Sequence, residues 1–198
     1  MVKKIVSFFV AGVVFLTLIN LAWANEDALR ALVKRMAKQE FVVLANNPII
    51  VNAVQKANIE TEKSLEEIIQ LDNRWQGSKD MDEWVNGFID NPCADYLKEF
   101  EEKGAGLYSE IFVMDKQGCI VGETKKTTDY WQGDEDKFIK CFAGGKGAIF
   151  ISEVYFDDST QDYLAHASIP VIDPQTKHVI GAMTVGINMD ILAEQLLR

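Results

Sequence analysis

Histidine is scarce in this sequence. His166 and His178 are the only two in 198 residues. Neither belongs to an H-x-x-x-H or C-x-x-C arrangement, so the common zinc and metalloprotease patterns are missing. Cysteine is nearly as rare. Cys93, Cys119 and Cys141 are spaced for neither a zinc site nor haem attachment. An oxidising compartment permits one disulfide among them and leaves one thiol over; the alternative is three buried, unpaired small hydrophobes. The chain also lacks a G-x-S-x-G elbow and a phosphate-binding glycine loop. Its many carboxylates are composition rather than a catalytic pair. These absences argue against an enzyme, and neither a metal nor a cofactor is expected. Positive charge is in deficit as well: 20 Lys and Arg stand against 30 Asp and Glu, a formal net charge of −10. Such a surface repels phosphate backbones and anionic lipid, so nucleic acid is not an expected partner.

What is present begins with an export signal. Lys3 and Lys4 precede an uncharged apolar run from Ile5 to Ile19, and Ala22-Trp23-Ala24 supplies the small-x-small pattern of signal peptidase. Residues 1–24 therefore read as a signal peptide, with Asn25 starting a mature domain over 25–198. The alternative is a membrane anchor in residues 5–24, since the run reaches the lower limit for a bilayer span. No second run of that kind follows. Cleavage would remove two of the 20 basic residues and none of the 30 acidic ones, leaving 18 against 30, a net −12.

The rest of the chain divides into a helical half and a strand-rich half. From Glu26 to Ala45, the residues Leu29, Leu32, Val33, Met36 and Val43 fall on one helical face. Asn47-Pro48 interrupts this helix and starts another. A third helix spans Thr61 to Trp75, with Leu65, Ile68, Ile69 and Trp75 as its stripe and Ser64 and Glu67 spaced as a capping box. Asp80 and Glu83 repeat that spacing before Trp84 and Phe88. Asn91-Pro92 opens a helix that Gly104 stops. Beyond Gly106 the period becomes alternating. Ser109 to Asp115 and Cys119 to Thr124 form a hairpin around Lys116-Gln117-Gly118, and a short helix covers Asp134 to Phe142. Three strands follow, Ala148 to Asp157, Tyr163 to Ile172 and His178 to Asn188, with turns at Asp158-Ser159-Thr160 and Pro174-Gln175-Thr176. A helix from Met189 to Leu197 closes the order, which argues for an α+β fold built on one antiparallel sheet.

That order resembles the PAS-like Cache family of extracytoplasmic (PDC-type) sensor domains, over most of residues 26–198. Ile111 to Gly118 resembles the family's first hairpin, a hydrophobic strand meeting a D-x-x-G turn. Asp129 to Glu135 resembles the aromatic and acidic connection of one subgroup. Tyr155-Phe156-Asp157, Ser168 to Asp173 and Ile180 to Gly186 resemble the three later strands. The resemblance implies a five-stranded antiparallel sheet, a long N-terminal helix and helical pocket insertions. It also implies a ligand between sheet and pocket loops: an amine, an amino acid, a carboxylate or a nucleobase-like molecule. In the subgroup that binds amino acids, an Arg holds the ligand carboxylate; here Glu135 stands at that position and Lys137 at an aromatic one, while Phe138, Tyr155 and Asp157 fit. Asn188 replaces a late Asp. The usual carboxylate clamp is thus missing.

The candidate ligand-binding residues are Tyr130, Trp131, Phe138, Tyr155, Asp157, His166, Ser168 and Asn188. Each has a plainer alternative. Tyr130 and Trp131 are either a pocket wall or loop anchors. Asp157 shares a strand face with Tyr155 and either accepts from a ligand donor or shapes the turn at Asp158. His166 and Ser168 form a polar stripe, either a pocket floor or a solvated sheet face, opposite Ala165, Ala167 and Ile169. Lys137 reads as a surface lysine. The functional expectation is a periplasmic or otherwise extracytoplasmic ligand-binding sensor. With no output module in the sequence, its signal would pass through a transmembrane receptor or a second copy of the chain. An adaptor without ligand is the alternative.

Overall fold

The computed structural model describes residues 27–60, 62–78, 82–157 and 161–196. The expected signal peptide, the cap expected at Asp80 and the turn expected at 158–160 lie outside them. Among the described residues no helix is long and apolar enough to cross a membrane.

Helix α1 covers residues 27–45. Its middle is a π-helical turn, Ala37–Phe41, before α-helix resumes at Val42–Ala45. A π turn inserts one residue and rotates everything after it. Leu29, Val33 and Met36 are buried as their spacing predicts, but the buried face then continues through Phe41 and Leu44. Val43, which unbroken periodicity puts on that face, is 70% exposed. Helix α2 (Pro48–Glu60) starts at the expected proline. Helix α3 (Leu65–Gly77) carries the full capping box: Ser64 accepts from the Glu67 backbone and Glu67 accepts from the Ser64 backbone. Ile68 and Trp75 are buried, whereas Leu65 and Ile69 are exposed. Helix α4 (Glu83–Ile89) is capped by Asp82, whose carboxylate accepts from the Trp84 and Val85 backbones. Helix α5 (Pro92–Lys103) is capped by Asn91 and ends at Gly104.

The strands are β1 (Tyr108–Met114), β2 (Ile120–Glu123), β3 (Phe150–Ile151), β4 (Tyr155–Asp157), β5 (Asp162–Ile172) and β6 (Val179–Asn188). Helix α6 (Asp136–Phe142) lies between β2 and β3, and α7 (Met189–Leu196) follows β6. The sheet order is β2-β1-β6-β5-β3, with β4 also paired to β5, and every pair is antiparallel. The α+β class and the single antiparallel sheet agree with the sequence. The strand count does not: among the described residues there are six. The strand expected over Ala148 to Asp157 splits in two because Ser152 leaves the ladder. Its hydroxyl accepts from the His166 backbone at 2.8 Å, and its own N–H reaches the His166 carbonyl at 2.9 Å.

The β1–β2 turn is fixed by local chemistry. Asp115 Oδ1 accepts from the N–H groups of Gln117 (2.8 Å) and Cys119 (3.0 Å). Gly118 adopts φ +82°, and a Cβ there would sit 2.5 Å from the Gly133 Cα. Only glycine satisfies both conditions.

Alternation along each strand gives the sheet two unlike faces. Ile111, Val113, Ala167, Ile169, Val185 and Ile187 form an apolar face buried in one core cluster with α1 and α2. The opposite face holds a second cluster with Phe112, Met114 and Ala182, covered by residues of α3, α4 and α6. There Trp75, Trp84, Phe88 and Tyr130 pack together with ring centroids 5.4–5.8 Å apart. The Trp75 indole N–H also donates to the Thr127 carbonyl at 2.8 Å.

Candidate functional site

The second face carries the polar groups. Strand register lines up Glu123, Phe112, Thr184, Ser168 and Phe150 in one row across five strands. Glu110, Gly186 and His166 form the adjoining row across β1, β6 and β5. Glycine in the middle leaves the two flanking side chains a clear path, and they meet. His166 Nε2 lies 3.0 Å from Glu110 Oε1 and 3.1 Å from the Tyr155 hydroxyl. The imidazole stands edge-on to Phe112, centroids 6.5 Å apart. His166 is 7% exposed, Glu110 is half-buried and Tyr155 is 38% exposed, so the cluster reaches from the core to the surface.

The electrostatics follow from that burial. Burial by itself would raise Glu110, but the hydrogen bond and charge of His166, with Lys137 and Lys125 behind them, outweigh it and hold the carboxyl below its usual value. Burial pushes Tyr155 up, helped by the charges of Glu110, Asp157 and Glu135. Glu123 has 0% exposure. Burial drives its carboxyl to about 8 against the pull of the Thr127 hydrogen bonds, and Glu110 adds to the rise. Oε2 accepts from the Thr127 backbone (3.2 Å) and hydroxyl (2.9 Å), while Oε1 is buried without a partner. At neutral pH Glu123 is mostly a neutral acid beside an ionised one.

Lys137 is not on the surface. Its side chain is 15% exposed, pairs with Glu135 at 3.1 Å and lies 5.3 Å over the Phe112 ring. Helix α6 thus turns Lys137 and Phe138 toward the sheet, and Phe138 stacks on Phe142 at 5.1 Å. Glu110, Glu135 and Asp157 stand among Lys137, Lys125 and His166 here, and Glu110 and Glu135 are already paired with His166 and Lys137.

The expected residues divide. Tyr155, Asp157, His166, Ser168 and Phe138 are on or over this face. Ser168 Oγ lies 2.9 Å from Thr184 Oγ1 in the buried middle of the sheet. The Asp157 carbonyl accepts from the Gln161 N–H at 2.8 Å across the β4–β5 turn. Asn188 shares the face, and its Oδ1 caps α7 through the N–H groups of Asp190 (3.1 Å) and Ile191 (3.0 Å). Tyr130 and Trp131 lie beside the start of β2, within the aromatic cluster that covers this face. Ile120 donates to the Tyr130 carbonyl at 3.0 Å, and Cys119 bridges Trp131. The Trp131 backbone donates to Asp72 (3.0 Å) and its indole to the Gln117 carbonyl (2.9 Å), which makes it a loop anchor. Sequence reasoning missed Glu110, Glu123 and Thr184. An acid alternating with Ile111 and Val113 was a visible signal for Glu110; nothing local marked Glu123, which sits two residues before Lys125-Lys126 and reads as a solvated hairpin end. The three cysteines are free and buried. Burial pushes each thiol up to about 12, so none is a reactive thiolate.

No protein-family model matches this sequence, and no curated protein matches it. Solved structures do. The sensor domain of the histidine kinase DctB from V. cholerae is 13% identical with a TM-score of 0.45; the match covers 90% of this chain and 58% of that one. The sensory domain of the Campylobacter jejuni chemoreceptor Tlp3, crystallised with isoleucine bound, is 16% identical with a TM-score of 0.46, covering 86% and 60%. The extracellular domain of the histidine kinase vpHK1S-Z8 is 11% identical with a TM-score of 0.49, covering 91% and 58%. This chain spans about three fifths of the length of these structures.

Proposed function

We propose that this chain is an extracytoplasmic sensor domain that binds a small amine-bearing molecule and signals through a partner protein. The observation that carries the reading is the Glu110–His166–Tyr155 cluster beneath α6, which runs from the buried His166 through half-buried Glu110 to the exposed Tyr155. A fold gains little from desolvating an imidazole and a half-buried carboxylate together. Their convergence with Asp157 and the α6 pair Lys137 and Phe138 suits a small-molecule site of aromatic walls and few polar groups. The carboxylates of Glu110 and Asp157 are acceptors, which suits a ligand that donates. The likeness to sensor domains of kinases and chemoreceptors supports the same reading, as does the export pattern of residues 1–24. The domain over 25–198, the periplasmic location and a transmembrane receptor or second copy as partner belong to this proposal.

The test is a thermal-shift screen of amines, amino acids, carboxylates and purines, followed by titration of the hit against Asp157→Ala. A charged hydrogen bond is worth about 1.5–3 kcal/mol, so affinity should fall about 10- to 150-fold. Unchanged affinity refutes the assignment of Asp157. A variant that unfolds assigns Asp157 to the β4–β5 turn instead. If no compound in the screen shifts the unfolding temperature, the adaptor reading takes over.

A further inference from the structure

A cavity of about 710 Å³ lies at the β2 edge of the sheet, and Glu110, His166 and Tyr155 are not among the residues that line it. Helix α2 forms one bank through Ala53, Lys56 and Ala57. Helix α4 forms the other through Trp84, Gly87 and Phe88, and Ile120, Val121 and Tyr130 form the floor. The volume is in the range of small-molecule sites, roughly 300–1,000 Å³. Small residues keep it open: Ala53 and Ala57 are short, and a Cβ built on Gly87 meets nothing within 4 Å. The aromatic wall is preassembled, since the rings of Trp84, Phe88 and Tyr130 lie 5.4–5.6 Å from one another.

The charges are placed asymmetrically. Lys56 and Lys63 line the α2 side. Glu60 is taken up by Lys56 at 3.8 Å, and Asp115 commits Oδ1 to the hairpin turn. Lys63 makes no ion pair among the described residues. Its backbone is fixed, because its N–H and carbonyl form a reciprocal pair with the Gln117 side chain at 3.0 and 2.7 Å. A lysine held at its backbone thus lines the same cavity as the aromatic wall, and its charge also acts on Asp115 and Glu67.

We propose that this cavity is a second small-molecule site, one that takes a flat aromatic molecule with a single carboxylate. The ring lies against Trp84 and Phe88, and the carboxylate meets Lys63. This site is independent of the sheet-face reading.

The experiment titrates the full chain calorimetrically with 4-phenylbutyrate and with its uncharged amide. The carboxylate should bind about tenfold more tightly, the lower end of a charge-assisted hydrogen bond. Gly87→Phe fills the cavity from a helical position and improves helix propensity. It should weaken 4-phenylbutyrate at least about tenfold without lowering the unfolding temperature. Lys63→Met should erase the preference over the amide. Glu110→Gln, which alters the sheet-face cluster, should leave the affinity for 4-phenylbutyrate as it is, which separates this site from the other. Full affinity in Gly87→Phe, equal affinity for acid and amide, no binding at millimolar concentration, or loss through Glu110→Gln alone each overturns the proposal. Should Gly87→Phe fail to fold, Lys63→Met decides: a preference that survives it overturns the assignment.

Discussion

Glu123 makes the stability of this domain depend on pH in a direction opposite to most carboxylates. Its folded-state value is about 8 against an ordinary 4.5, because the side chain is fully buried. Between those values the unfolded chain has released a proton that the folded chain keeps, so stability falls as pH rises. The contribution is fully present below about 4.5 and is lost as pH passes through 8. Between pH 5 and pH 8.5 the linkage amounts to about 3–4 kcal/mol, at about 1.4 kcal/mol for each pH unit. Glu123→Gln keeps an oxygen for Thr127 and cannot ionise. Its absolute stability is lower or higher depending on how the amide nitrogen settles at the unpartnered Oε1 position. The decisive quantity is the change in the gap between variant and parent, in which every other titrating group cancels. That gap should move by about 3–4 kcal/mol in favour of Gln from pH 5 to pH 8.5, a shift of about 6–15 °C for a domain of this size. Thermal and urea unfolding followed by circular dichroism at both pH values measure it. Parallel pH profiles for Glu123 and Gln would refute the reasoning and show that the carboxyl finds water or a cation in solution.

Gly118→Ala combines a left-handed backbone with a contact to Gly133, and urea unfolding should show a loss of about 2–4 kcal/mol. Asn188→Ala removes the α7 cap and should cost about 1 kcal/mol; lost ligand affinity at unchanged stability would assign Asn188 to binding instead. Intact mass from an extracytoplasmic fraction should correspond to a chain starting at Asn25, and a full-length mass in the membrane fraction would favour the anchor.

The sequence by itself determined what depends on near neighbours. The Ser64–Glu67 capping box, the Asn91-Pro92 helix start and the Asp115–Gly118 turn are closed by groups within four residues of each other, and all formed where the residues placed them. Strand alternation likewise put His166 and Ser168 on one face and Ala165, Ala167 and Ile169 on the other. Tertiary structure decided the rest. The π turn in α1 redirects the buried face from Val43 to Leu44, a choice made by packing on the sheet. Ser152 breaks a strand because of a partner on β5. Lys137 turns inward because Glu135 and Phe112 receive it. Glu110 and His166 are 56 residues apart and meet only because β6 lies between β1 and β5 with Gly186 in their row. Strand order is a long-range property, and no local spacing carries it. The acid–imidazole cluster at the centre of the candidate site therefore exists only in the folded sheet.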